Sequence, residues 1–119
     1  VETKDLARLA PCKQCPFRRD VRPFLRPARA AQLASYAKRG ITFLCHETTR
    51  ETGDGTEKHC AGKLVLARKL DRLYHDQLVR VGERLGADFD KVVDPLDVVY
   101  DTPKEMIEAY RKENERGLV

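Results

Sequence analysis

The chain has no tryptophan and a single methionine, and aromatic residues make up only 7% of it. An apolar fraction of 41% beside a charged fraction of 35% implies a modest core under a heavily charged surface. No apolar run approaches the length that spans a bilayer, which excludes a transmembrane helix. The first residues, with Glu2 and Asp5, lack the apolar stretch of a secretory signal. Two catalytic signatures are also missing: a glycine-rich phosphate loop and a paired-histidine zinc-protease motif. Aromatic residues do not alternate with the basic ones as they do in a single-strand stacking platform.

What the chain does have is four cysteines in 119 residues, each close to another metal-binding residue type. Cys12 and Cys15 are two residues apart, Cys45 precedes His46, and Cys60 follows His59. Without a secretion signal, such thiols point to a reducing, cytoplasmic setting, where clustered cysteines hold metal more often than they form disulfides. Cys12 and Cys15 can bite one ion from a single turn of backbone, and Cys45 and Cys60 complete a tetrahedral zinc set. A structural zinc contributes on the order of 10 kcal/mol or more to folding, a large term for so modest a core. Neighbours in an extended chain point opposite ways, so His46 is read as a donor to a sulfur or an alternate ligand. His59 and His75 read as solvated surface histidines. The competing cofactor is a [4Fe–4S] cluster, which also takes four cysteines, and Cys15-Pro16 echoes the Cys-Pro beside many clusters. The bland reading is four unrelated buried thiols.

Two enzymatic readings have less support. A dithiol oxidoreductase wants a helix starting at its first cysteine, and Pro16 with the Arg-rich stretch behind it fits that poorly. A nucleophile and its base normally meet through the fold and not as sequence neighbours, as Cys45 and His46 are. A metal-dependent nuclease would need His46 or His59 beside a carboxylate such as Glu47 or Glu57.

Charge is asymmetric. Residues 1–50 hold eleven Lys and Arg against four Asp and Glu, and residues 51–119 hold twelve against fifteen. A basic front half suits phosphate or an acidic protein surface. Arg18 and Arg19, just past the first cysteine pair, are candidates for such a partner contact. The competing reading pairs them with Asp20 or with the acidic C-terminal helices.

Length sets a single domain over residues 1–119. Pro11 and Pro16 keep helix out of the first cysteine pair, after a helical turn over Leu6, Ala7 and Leu9. Pro27 opens a helix whose stripe is Ala30, Leu33, Ala34 and Ala37, with Gly40 as its stop. Ile41 to Leu44 reads as a short strand running into Cys45. Residues 46–59 read as a flexible loop and a candidate binding segment. A long helix runs from Ala61 to about Leu85. Its stripe of Leu66, Leu70 and Leu73 shifts to Tyr74, Leu78, Val81 and Leu85, implying a bend or break near His75 and Asp76. A short strand over Val98 to Tyr100 precedes a helix capped by Thr102 with Pro103 and Glu105. That helix shows one apolar face (Met106, Ile107, Tyr110), and its tail frays from about residue 112. The fold class is thus α+β and helix-dominated: a metal-centred domain with a short strand or hairpin and about three helices, the first and last packed on the long one.

The order Cys-x-x-Cys-Pro-Phe-Arg over Cys12 to Arg18, Phe-x-Cys-His over Phe43 to His46, and Cys-Ala-Gly over Cys60 to Gly62 resembles a family of small uncharacterised proteins from actinobacteria and their phages. Val99-Tyr100-Asp101 before a helix is similar too. The likeness spans roughly residues 11–110. It implies that His46 and Arg18 belong to the motif, and it carries no activity with it. A second likeness, to actinobacterial iron–sulfur regulators with Cys-x-x-Cys-Pro, covers only the first pair. The expected function is a metal-stabilised accessory or regulatory module that contacts nucleic acid or a protein complex through its basic half. No membrane and no evident small-molecule substrate are involved. An iron–sulfur protein or a metal-dependent DNA-processing enzyme is the alternative.

Overall fold

The computed structural model describes residues 1–45 and 58–116. His46, Glu47, Glu57 and nearly all of the anticipated binding loop lie outside the described residues. Five helices are seen among them, and no strand. Helix α1 is Thr3–Leu6. Its turn starts earlier than expected because Glu2 and Asp5 cap each other's backbone N–H groups. The Thr3 hydroxyl donates to Asp88 O and accepts the Asp88 N–H, so α1 is pinned to the second half of the chain.

Helix α2, Pro27–Arg39, buries the expected face of Ala30, Leu33, Ala34 and Ala37. Gly40 ends it at φ 75°, and a Cβ there would stand 2.4 Å from the His75 carbonyl. Both the left-handed turn and the close approach therefore require glycine.

The strand anticipated at Ile41 to Leu44 is not formed. Leu44 makes one antiparallel bridge to His59, and His59 makes one parallel bridge to Ala7. Four backbone hydrogen bonds hold this junction: Cys60 N to Phe43 O, Cys45 N to Lys58 O, His59 N to Leu6 O, and Arg8 N to His59 O. Among the described residues the pairing is bounded by the end of α1 at Leu6 and the start of the next helix at Ala61. The strand anticipated at Val98 to Tyr100 is likewise one bridge, Val99 to Arg18.

The single helix anticipated from Ala61 to Leu85 is two. Helix α3, Ala61–Lys69, is buried from Ala61 through Ala67, which makes it the central strut of the core. Asp71 takes a positive φ of 59°, a turn of 3₁₀ helix covers Leu73–His75, and α4 follows at Gln77–Arg84. Asp76 caps α4 by accepting the Leu78 N–H at 2.9 Å. The shift of stripe is thus a break. On α4 it is Val79 and Gly82 that are buried, while Tyr74, Val81 and Leu85 are exposed.

Helix α5, Pro103–Glu115, starts as the sequence implies, with the Thr102 hydroxyl accepting the Glu105 N–H. The Glu105 carboxylate reaches back to Asp101 N and not to the cap residue. The helix continues past the point where fraying was anticipated. Buried Glu113 accepts a hydrogen bond from Arg22, which anchors the last turn. α2 packs against both α5 and α3, so the last helix rests chiefly on the first long one.

Candidate metal centre

The first cysteine pair sits on a tight turn. Cys15 N donates to Cys12 O, Arg18 N donates to Cys15 O, and the Arg18 guanidinium closes over Cys12 O at 3.2 Å. Phe17, fully buried, wedges the turn against Phe43 in an edge-on contact with ring centroids 6.1 Å apart. Cys60 enters from the opposite side as the residue that caps α3.

All four cysteines are buried and carry free thiols. The Sγ atoms of Cys15 and Cys60 stand 3.7 Å apart. The Cys15 thiol also hydrogen-bonds Cys12, so residues far apart in sequence share one sulfur-lined pocket. Hydrogen bonds to Cys12 and Cys60, with burial behind them, push the Cys15 thiol well above its ordinary pKa. Cys60 moves down, first because the Cys15 thiol donates to it, against the opposing effect of burial; the Lys63 and Gly62 N–H groups add to the lowering. Of this pair, Cys60 is the more readily ionised and Cys15 holds its proton more tightly. Cys45 is buried beside the same junction, its N–H donating to Lys58 O. Among the described residues, no group of three or more His, Cys, Asp and Glu is placed to hold a metal ion.

Gly62 belongs to this centre and was not singled out for it from sequence. A Cβ at Gly62 would lie 2.4 Å from Cys15 Sγ and 2.9 Å from Phe17 Cβ. Only glycine lets the first turn of α3 come this close to the sulfur.

Arg18 and Arg19 are engaged within the chain. Arg18 forms a two-pronged pair with Asp20, at 2.8 and 2.7 Å. Arg19 is shared by Asp97, Asp101 and Glu105.

His59 departs from expectation. It is fully buried, and neither ring nitrogen has a hydrogen-bond partner among the described residues. Its Nε2 stands 3.4 Å from Asp76 Oδ2, an ion-pair distance without hydrogen-bond geometry. Burial, then the Lys63 ammonium, pull its pKa down to about 4 despite the Asp76 charge. Lys63 and Asp76 are themselves fully buried and hydrogen-bonded to each other. Asp76 also accepts the Thr42 hydroxyl at 3.1 Å. Burial pushes Asp76 up, but Lys63, His59 and the Leu78 N–H outweigh it and keep the carboxylate ionised. His75 is exposed, as anticipated.

Residues 7–118 match a family described as of unknown function, DUF6283. The chain belongs to that family. No curated protein and no solved structure matches it. Among the described residues, no helix is long and apolar enough to cross a membrane.

Proposed function

We propose that this chain is a metal-stabilised binding module whose thiols Cys12, Cys15, Cys45 and Cys60 hold one zinc ion. The observation that carries the reading is the 3.7 Å separation of Cys15 and Cys60 Sγ. Two thiolates on one tetrahedral zinc, with bonds of about 2.3 Å, sit roughly 3.8 Å apart. A [4Fe–4S] cubane gives each thiolate a different iron and spreads the sulfurs farther, so the separation favours a single ion. The donor set fits a soft cation, since all four thiols are buried and free. The Gly62 approach to Cys15 fits too, because it leaves the sulfur room that a side chain would take.

Bound there, zinc would tie the N-terminal turn, the segment ending at Cys45 and the start of α3 to one point, and would add no redox chemistry of its own. His46 is the candidate outer donor or alternate ligand. The module works in the cytoplasm of an actinobacterial or phage-infected cell, as an accessory or regulatory part that contacts nucleic acid or a protein complex. Its basic N-terminal half supports a binding task over a catalytic one. Arg18 and Arg19 would meet a partner only by leaving their carboxylates, so the remaining cations of that half, such as Lys38, come first.

Elemental analysis of protein purified without added metal tests the reading. One zinc per chain is expected, and Cys12→Ser, Cys15→Ser, Cys45→Ser and Cys60→Ser each lose it. A brown protein containing iron and sulfide would replace zinc with a cluster. Metal-free, stably folded wild-type protein would end the proposal.

A further inference from the structure

We infer that the cleft between the ends of α2, α3 and α5 is a binding site for phosphate groups, carried by a nucleic-acid backbone or a free nucleotide. This rests on the binding part of the reading above and is independent of the metal. The cleft encloses about 320 Å³ and is lined by Lys38, Leu70, Arg72, Pro103 and Lys104. Two other cavities, near Pro95 and near Lys91, are about 40 and 110 Å³. The three cations come from separate elements: Lys38 from the last turn of α2, Arg72 from the turn after α3, and Lys104 from the first turn of α5. Their side chains are exposed, and none makes an ion pair among the described residues.

The surrounding surface makes the contrast. Asp97, Asp101 and Glu105 neutralise Arg19 and Lys69, and Glu113 neutralises Arg22. The acids beside Pro103 and Lys104 are thus spent on other cations, and Asp71, between Leu70 and Arg72, is not among the residues that line the cleft. Three like charges around one concavity focus a positive potential on it. Arg72 can grip a phosphate with two parallel N–H donors, and the lysines add point charges. Leu70 and Pro103 supply an apolar wall for a sugar or a base.

Helix electrostatics alone explain only part of this. Lys38 and Arg72 follow the negative ends of α2 and α3, where cations are favourable. Lys104 lies at the positive end of α5, where a cation is unfavourable. Glu108, one turn along, takes its charge compensation first from Arg111, and the Lys104 charge acts on it to a smaller extent. A cation at the wrong end of a helix, offset only in part by Glu108 and facing two others across a cleft, would be balanced by an anion between them.

The test uses fluorescence anisotropy with labelled single-stranded and duplex oligonucleotides across a salt series, with ATP as competitor. The triple variant Lys38→Gln, Arg72→Gln, Lys104→Gln is compared with Arg84→Gln, Lys91→Gln, Lys112→Gln, which removes the same charge elsewhere. The cleft triple should weaken binding at least tenfold and flatten the log–log salt slope by about 2 to 3. The control should change affinity far less, and both should keep the wild-type metal content and melting point. Displacement by ATP at equal phosphate concentration assigns a free nucleotide, and resistance to ATP assigns the backbone. Equal losses in the two triples would overturn the cleft and leave the binding reading standing. Wild-type protein that binds neither oligonucleotide nor ATP would overturn both the cleft and the nucleic-acid reading, while the metal assay stands on its own.

Discussion

Two buried polar centres flank the start of α3, and they are built in opposite ways. On one side Cys60 meets Cys15, and Cys15 meets Cys12, through thiols that are neutral when protonated. On the other side Lys63, Asp76 and His59 form an ionic cluster, all fully buried. Protonated thiols enter a core at little cost, and their full charge appears only with a metal. The ionic cluster must assemble complete during folding, because either charge left alone in the interior is strongly unfavourable. On the proposed reading one centre would depend on an ion supplied from outside, whereas the other is self-contained.

Metal removal should break the first centre with the largest effect. Chelation, or Cys60→Ser, should destabilise the domain by on the order of 10 kcal/mol if zinc is held as proposed. Denaturant melts run beside metal analysis check this. A Cys60→Ser protein with unchanged metal and unchanged midpoint would remove that residue from the site.

The second centre should break without any change in metal. Asp76→Ala strands the Lys63 ammonium, removes the cap of α4 and frees the Thr42 hydroxyl. A loss of about 3–5 kcal/mol is expected, with the zinc-to-chain ratio unaltered in whatever fraction remains folded. A loss below 1 kcal/mol would show that Lys63 finds water or another partner.

Acid should also separate the centres. His59 has a folded pKa near 4, below its ordinary 6.5. Above pH 6.5 the ring is neutral in both folded and unfolded chains, and its contribution is fully present. As pH falls from about 6.5 to about 4, the unfolded chain takes the proton first and stability drops by about 3 kcal/mol; below that window the loss stops. Thiolate–metal bonds also weaken in acid, so the comparison is wild type against His59→Gln. The variant should lack this part of the pH dependence and keep the rest. Parallel stability curves from pH 7 to pH 4 would show that His59 is not held neutral.

These two centres were unequally legible in the sequence. Cysteine spacing marked the first, because few jobs need soft residues at such short intervals, and Gly40 and Thr102 marked helix ends by local chemistry alone. The second left almost no trace. Lys63 sits beside Leu64, Val65 and Leu66, and an isolated lysine there reads as a solvated face. Its burial depends on Asp76, which the break in the long helix brings back against α3. The break showed in the sequence only as a shift of stripe. His59 read as a surface residue because the segments that cover it, near Ala7 and Leu44, join it through single bridges with no strand pattern. The anticipated strands likewise appear among the described residues only as single bridges. Gly62 could have been read from its place just after Cys60, where a side chain would crowd a sulfur.

The smallest expected effect links the sulfur side to the rest of the fold. The Tyr110 hydroxyl, buried on α5, donates to Pro16 O at 2.8 Å, directly behind Cys15. Burial, the main cause, keeps this phenol well above its ordinary pKa, so it remains a donor throughout the working range. Tyr110→Phe keeps the ring in its packing and leaves one carbonyl without its partner, for a cost of about 1 kcal/mol. If Pro16 is held mainly by its neighbours Cys15 and Phe17, metal content should not change, and the loss should persist in the chelated protein. If the loss disappears on chelation, the hydroxyl acts through the metal centre. The cysteine turn would then depend on α5 for its position, and the two sides of α3 would be less separate than their chemistry implies.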